Sequence, residues 1–245
     1  MRNQKCEMLN EIMHRFYLPT IRLEGNRLHI TDPRIVFQAS RVLRMKPGNQ
    51  FSVFDDAGRE FEVTVQSLSP KAIVVEKGAE IHRKTEPKLK VILYQAVPKK
   101  QDLFELVLQK ATELGVSEIV PLITKRTERQ HLGKWDRMRA IMVEATEQSS
   151  RTHVPELQQP IEFEKAIGQL NCYIAYESGK ELPLSKMLQE VRSADTVRLF
   201  IGPEGGFAPE EVEMALKKGA KAFGLGQTIL RTETAAIAAV SLMLL

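Results

Sequence analysis

Two glycine-bearing loops within one short stretch constrain the fold of this chain more than any other feature. Between Leu199 and Ala236 it reads LFIGPEGGFAPEEVEMALKKGAKAFGLGQTILRTETAA. An apolar run at Val197, Leu199, Phe200 and Ile201, with the length and composition of a buried strand, leads into Gly202-Pro203-Glu204-Gly205-Gly206-Phe207. A helix is expected directly afterwards, over 209–218. Pro209 stands at its first position, Glu210 and Glu211 in its first turn, Lys217 and Lys218 in its last, and Gly219 beyond. The second loop, Gly224-Leu225-Gly226-Gln227-Thr228-Ile229-Leu230-Arg231-Thr232, follows a short strand at 220–223 and enters a final apolar helix that Thr232 is placed to cap. Two strand-loop-helix units in series predict loops gathered at the carboxyl ends of strands, where open α/β sheets bind ligands.

The preceding sequence extends the alternation. Strands are expected at 89–94, 116–122 and 172–176, and amphipathic helices at 101–114 and 134–149, the first stopped by Gly115. With 197–201 and 220–223 this makes five strands alternating with helices, the pattern of a mostly parallel sheet covered on both faces. The N-terminal part has a different period. Phe61, Val63 and Val65 fall on one face with Glu60, Glu62 and Thr64 opposite. Further strands at 51–54 and 72–75, with a turn at Asp55-Asp56-Ala57-Gly58, make a small β-barrel or sandwich. Arg83-Lys84-Thr85-Glu86-Pro87-Lys88 reads as a linker. Three segments result: a polar, aperiodic extension at 1–12 expected to be disordered, a β domain at 13–84 and an α/β domain at 85–245.

Composition narrows the function classes. The net charge of +4 and pI near 9.0 suit a polyanionic partner without requiring one. Cys6 and Cys172 lack disulfide or metal-ligand spacing, so no metal is expected and a reducing cytoplasm fits. No apolar run reaches the roughly 18–20 residues a membrane span needs, and no signal peptide opens the chain, so no membrane partner is expected.

Glycine loops after strands most often cradle phosphates, but these two lack both the Gly-Lys-Ser/Thr ending of a phosphate-binding loop and G-x-G-x-x-G spacing. Glu204 would also repel a phosphate, so a neutral or cationic ligand fits better. Basic residues cluster twice. Arg34 just before it and Arg41 and Arg44 within it accompany a short helix expected at 35–45, ended by Lys46-Pro47-Gly48, and Arg126 and Arg129 lie in Thr124-Lys125-Arg126-Thr127-Glu128-Arg129-Gln130-His131. Each cluster reads either as a solvated face or as a grip on RNA phosphates.

Several motifs carry a resemblance. IGPEGGF at 201–207, LGQTILRTETA at 225–235 and EATEQSSR at 144–151 resemble signatures of the RsmE family, ribosomal RNA uridine-N3 methyltransferases of the SPOUT superfamily. HRFYL at 14–18 and RVLRMKPGN at 41–49 resemble the family's N-terminal domain, with departures at Gln38-Ala39-Ser40, where many members carry histidine, and at Asn49, where aspartate is frequent. The implied fold is α/β: a SPOUT-type trefoil-knotted, mostly parallel sheet with helices on both faces, preceded by a small PUA-like β-barrel, in a homodimer. The implied reaction uses S-adenosylmethionine and methylates N3 of a uridine in 16S ribosomal RNA of the small subunit. Another RNA position, such as a ribose 2′ hydroxyl, and a non-catalytic ribosome-assembly factor are the alternatives.

The resemblance assigns the cofactor pocket to Gly202, Pro203, Glu204 and Gly205, to Leu225 and Gly226, and to Leu230 and Arg231. Close backbone approach at Gly202, Gly205 and Gly226 would leave room for the adenine and amino-acid portions of a sulfonium donor. Methylating a ring nitrogen removes its proton and moves negative charge onto the neighbouring carbonyl oxygens, which a cation aimed there stabilises. Arg151, just beyond a helix end, and Arg231, ahead of the last helix, are the candidates for that catalytic role, Arg151 the first choice. For each, a structural ion pair or helix-end contact is the alternative. Glu147 and Glu233 are candidate partners or proton acceptors, and Glu147 is equally placed for an in-helix salt bridge to Arg151.

Overall fold

The computed structural model describes residues 14–176 and 182–245; the extension expected to be disordered, 1–12, lies outside them. The chain divides into two compact units, Met1–Thr85 and Glu86–Leu245.

The first unit contains β1 (Arg15–Tyr17), β2 (Leu23–Glu24), β3 (Arg27–Ile30), α1 (Pro33–Phe37), β4 (Gln50–Phe54), β5 (Glu60–Leu68) and β6 (Ile73–Glu80). They form one six-stranded sheet in the order β1-β4-β5-β6-β3-β2, antiparallel except for the β1–β4 pair. The alternation read in β5 is real: Phe61, Val63 and Val65 are buried with Phe16, Phe51, Val53, Ile73 and Val75. The register of β5 on β6 shifts twice, between Phe61 and Val63 and between Val65 and Ser67. Such irregularities bend and twist a sheet, here around its apolar face.

The helix expected at 35–45 differs from observation at both ends. Asp32 starts it earlier, its Oδ1 accepting from Arg34 N at 2.8 Å with Pro33 at the first helical position. After Phe37 it widens into a π-helical turn, Gln38–Val42, and Arg44 at φ 50° cannot continue it.

A buried ion cluster secures the opposite side of the sheet. Glu60 accepts from Arg15 Nη2 at 3.0 Å, from Arg83 Nε at 2.8 Å and from Ser52 Oγ at 2.8 Å. The Arg15 guanidinium also lies 4.4 Å from the centroid of the Phe54 ring. Burial alone would raise the Glu60 pKa, but the hydrogen bonds from Arg83, Arg15 and Ser52 bring it down to about 2.

The second unit is a seven-stranded parallel sheet, β10-β8-β7-β12-β11-β13, with β9 also paired to β8. Its strands are β7 (Lys90–Ala96), β8 (Glu118–Ile123), β9 (Glu156–Leu157), β10 (Ile161–Glu162), β11 (Cys172–Ala175), β12 (Thr196–Ile201) and β13 (Lys221–Phe223). Its helices are α2 (Gln101–Leu114), α3 (Trp135–Gln148), α4 (Phe163–Ala166), α5 (Leu184–Arg192), α6 (Pro209–Lys217) and α7 (Thr232–Leu244). Successive residues of the central strands point to opposite cores. Val91, Leu93, Val197 and Leu199 pack with Phe104, Leu108, Met138, Met142 and Val240 of α2, α3 and α7. Tyr94 and Phe200 stack at 4.4 Å on the other face, with Phe163 and Val212 of α4 and α6. Burial on both faces is why these strands read as continuous apolar runs.

The alternation expected from the sequence holds, with α2 ending at a left-handed Gly115 (φ 104°), but the sheet is larger than the five strands expected. β9 and β10 are two residues each, too short to show any period. β13 lies at the edge beside β11, whereas α7 packs on α2, β7 and β12. The chain therefore crosses back over the carboxyl end of the sheet between them. Among the described residues no helix is long and apolar enough to cross a membrane.

Glu60 predicts how the first unit responds to acid. Its folded pKa lies below the ordinary value of 4.5, so its contribution is complete above 4.5 and is lost as pH falls toward 2. The contribution is about 3 kcal/mol. Glu60→Gln is expected to leave two cations uncompensated and cost about 3–5 kcal/mol at neutral pH, with a flatter stability profile between pH 5 and about 2. Denaturant midpoints of both proteins across that range check this.

Candidate functional site

The carboxyl ends of β11, β12 and β13 open into a pocket of about 610 Å³, within the range of small-molecule sites. Each strand supplies wall residues where it ends: Ala175 and Tyr176 from β11, Ile201 and Gly202 from β12, Phe223 and Leu225 from β13. The start of α7 closes one side with Leu230, Arg231, Thr232 and Glu233. Of the residues assigned to the pocket from sequence, Gly202, Pro203, Glu204, Leu225, Leu230 and Arg231 line it, while Gly205 and Gly226 do not.

A buried network holds the two loops together. Thr232 was expected to cap α7, but the flanking residue is Arg231 and no side chain caps the helix. The Thr232 hydroxyl instead donates to the carbonyl of Gly202 at 2.6 Å and accepts from Gln95 Nε2 at 2.9 Å. It is spent on bridging the second loop to the first. Gln95 is fully buried and stands opposite Ile201 in the β7–β12 register, so the bridge is anchored in the middle of the sheet.

The glycines serve the loops in different ways. A Cβ on Gly202 would lie 3.2 Å from the Phe207 ring and from Phe207 N, so its small size admits the loop's own fold rather than a ligand, contrary to the expectation. Gly226 has open space around it and φ 117°, a conformation side chains avoid. At Gly205 the neighbour is Arg126, whose Nη1 donates to the Gly205 carbonyl at 2.7 Å.

Other groups fasten the first loop. Glu204 Oε1 accepts from Lys99 N at 2.9 Å. Glu211, buried in the first turn of α6, accepts from Ala208 N and Lys125 N, both at 2.8 Å. The first of these bonds is half of a capping box, and the second ties the basic segment to the loop. Arg129 is held nearby, with Nη2 on Gln101 Oε1 at 2.8 Å at the start of α2. Arg41 and Arg44 belong to the first unit, both exposed on or just after the π turn.

Arg151 lies elsewhere in the second unit. Its Nη1 donates to the carbonyls of Thr112 and Val116 at 2.8 and 2.9 Å, and its Nη2 meets Glu86 Oε2 at 2.7 Å. Val116 precedes β8, so this is the amino end of a sheet whose carboxyl end forms the pocket. At 3.3 Å per residue the ends are roughly 17 Å apart. Glu86 also accepts from Thr152 N at 2.8 Å. Burial raises its pKa, but Arg151 outweighs this and holds it below the ordinary value. Arg151 thus serves one carbonyl in the last turn of α2 and one in the α2–β8 connection, and clamps the segment that enters the unit.

The pocket wall is mainly carbon, with carboxylates at Glu204 and Glu233 and one cation, Arg231, which is exposed and makes no ion pair among the described residues. That donor set suits a ligand with an apolar body and a positive charge. Sequence reasoning missed Gln95, Tyr176, Glu211 and Glu86. Gln95 was legible as a polar residue closing an apolar strand, and Glu211 as the third helical residue of α6. Nothing local marked Tyr176 or Glu86.

Known proteins share this arrangement. Residues 85–244 match the family model described as RNA methyltransferase domain, and 40–77 match RNA methyltransferase PUA domain. A protein of Aquifex aeolicus, named ribosomal RNA small subunit methyltransferase E, is 30% identical over 95% of this chain and 99% of its own. The chain belongs to the ribosomal RNA small subunit methyltransferase E family. The relative of that name from Rickettsia conorii is 29% identical over 93% of both chains. The Neisseria gonorrhoeae methyltransferase E bound to S-adenosyl methionine superposes with a TM-score of 0.83 at 29% identity, covering 94% of this chain and 96% of the other. A Legionella pneumophila methyltransferase with bound SAM gives 0.81 at 30% identity, with the same coverage. The two-part organisation of this family member, a PUA-like β unit followed by a parallel α/β unit, is thus the family's own.

Two substitutions test the interior bonds. Arg151→Ala is expected to lower stability by about 2–3 kcal/mol, discounted for the partial exposure of Glu86. Arg151→Lys should not restore it, because an ammonium cannot fork onto a carboxylate and two carbonyls. Thermal unfolding of both variants checks this, and an unchanged melting curve with lost activity would return Arg151 to a catalytic role. Thr232→Val, isosteric but without the hydroxyl, should cost about 1–3 kcal/mol by taking away the donor to the Gly202 carbonyl and the acceptor of one Gln95 amide hydrogen, the other staying on the Ala96 carbonyl, read from denaturant midpoints.

Proposed function

We propose that the protein transfers the methyl group of S-adenosylmethionine to N3 of a uridine in 16S ribosomal RNA of the small subunit. The observation that carries this reading is the pocket itself: a carbon-lined cleft at the carboxyl ends of parallel strands, bearing two carboxylates and rimmed by one arginine. When bound, the cofactor supplies a methyl group made electrophilic by its sulfonium charge. Glu204 and Glu233 offset that charge, and Gly202, Pro203, Leu225 and Leu230 enclose the body of the ligand. Gly226 sets the backbone turn that brings Leu225 to the wall.

Arg231 does the electrostatic work on the substrate side. As the N3 proton leaves to water, negative charge moves onto the flanking uracil oxygens, and the guanidinium at the rim stabilises it. Arg151, clamped to Glu86 at the opposite end of the sheet, is assigned a structural role. Arg126 and Arg129 beside the first loop, with Arg41 and Arg44 in the first unit, are proposed to contact RNA phosphates. Homodimerisation is supported by α7, which is apolar around most of its circumference yet leaves Leu242 exposed, with Leu245 exposed just beyond its end. The trefoil knot is supported by the return of the chain from β13 to α7. A cytoplasmic setting follows from a ribosomal RNA substrate.

Calorimetry should show S-adenosylmethionine binding by the wild type. Mass spectrometry of ribosomal nucleosides from a strain lacking the protein should show loss of 3-methyluridine, and undiminished 3-methyluridine would overturn the product. Arg231→Ala is expected to lower kcat by roughly 10²–10³ while cofactor affinity changes by less than about tenfold.

A further inference from the structure

The first unit has a groove of its own, of about 700 Å³, between α1 with its π turn and the turn joining β5 to β6. Val36, Met45 and Leu68 give it an apolar floor. Phe37 stands on one side with its residue surface 62% exposed, an aromatic ring left in water where the helix changes from α to π. π turns inserted in helices are frequent at functional sites, because they displace side chains from the core-facing register. Arg41 and Lys71 stand on opposite rims, both exposed. No carboxylate lines the groove, and neither cation makes an ion pair among the described residues.

Both rims are held rigidly. Ser69 Oγ accepts from Ala72 N at 3.0 Å and Lys71 N at 3.3 Å, fixing the turn that presents Lys71. Asp32 caps α1, and Ser40 Oγ donates to Val36 O at 2.6 Å at the entry to the π turn. An exposed aromatic face over an apolar floor, between two uncompensated cations, matches the chemistry of an unpaired nucleotide. The base stacks on the ring and the flanking phosphates meet the cations. A duplex would satisfy the cations but offers no free base face to Phe37. An apolar peptide helix would satisfy Phe37 and leave the two positive charges unanswered.

We propose that this groove holds one unpaired base of the RNA, stacked on Phe37, with adjacent phosphates on Arg41 and Lys71. The inference rests on the methyltransferase reading in taking that RNA to be the substrate strand. It goes beyond phosphate contacts in assigning a base-stacking site.

The test uses full-length protein and a single-stranded oligouridylate of about 12 nucleotides carrying a central 2-aminopurine, whose unstacked neighbours leave it bright in the free strand, with a duplex of the same length as control. Wild type should quench the 2-aminopurine on binding. Phe37→Ala should lose the quench and bind the single strand roughly 5- to 100-fold more weakly, with duplex affinity unchanged. Phe37→Trp should restore both signals. Arg41→Gln and Lys71→Gln should each reduce the slope of log K against log salt by about 0.7. Single-strand binding by Phe37→Ala equal to wild type, or an equal loss on both RNAs without rescue by tryptophan, would overturn the proposal and return the groove to a protein partner. Calorimetry of the wild type with S-adenosylmethionine separates the two readings. Cofactor binding alongside Phe37-independent RNA binding rejects only the groove, and absent cofactor binding alongside Phe37-dependent RNA binding rejects only the methyltransferase.

Discussion

The hydroxyl of Thr232, set between the Gly202 carbonyl and the Gln95 amide, is the contact on which the arrangement of the second unit turns. Gln95 is fully buried and its Nε2 divides its two hydrogens between the Ala96 carbonyl and the Thr232 hydroxyl, so losing Thr232 would strand one buried donor, and the start of α7 is held at one height against β7 and β12. The second loop must then arch from β13 at the sheet edge back to that point. Its path brings Leu225, Leu230 and Arg231 to face Gly202, Pro203 and Glu204. The pocket is a consequence of where α7 is pinned, and neither loop forms it alone.

Burial sorts the arginines by task. Arg151 is inside, its donors spent on Glu86, on the Thr112 carbonyl in the last turn of α2 and on the Val116 carbonyl just ahead of β8, so its charge serves the integrity of the unit. Arg231 is exposed at the pocket rim, where its donors remain available to a substrate. Arg126 lies between these cases: one donor positions the first glycine loop through Gly205, leaving the rest of the guanidinium in solvent. The carboxylates divide similarly. Glu60 and Glu211 are consumed in holding backbone and cations, whereas Glu204 and Glu233 reach the pocket.

Much of the fold was legible because its signals are local. The limits of α2, the opening of α6 at Pro209 and the alternation of β5 were all encoded within a few residues of where they appear. The short strands β9 and β10 were not legible, since two residues cannot display a period and are defined only by pairing with β8. The site was legible in part. The glycine loops were read from their place after strands, and Arg231 was assigned to them by family resemblance, but the reason for Gly202 lies in the Phe207 ring five positions on, and only its conformation shows it. The π turn after Phe37 left no trace in the helical pattern, which continues through it.

By itself the sequence determined two architectures in series, the family, the loops that bear the pocket and the basic residues near them. Those features depend on hydrophobic period, cap residues and short motifs, which act within one element. Tertiary structure alone decided which polar groups meet. Arg151 finds Glu86 across 65 residues and Gln95 finds Thr232 across 137. Such pairings depend on sheet order and on the crossing of the chain, and a hydrogen bond of about 3 Å records neither in the residues adjacent to it.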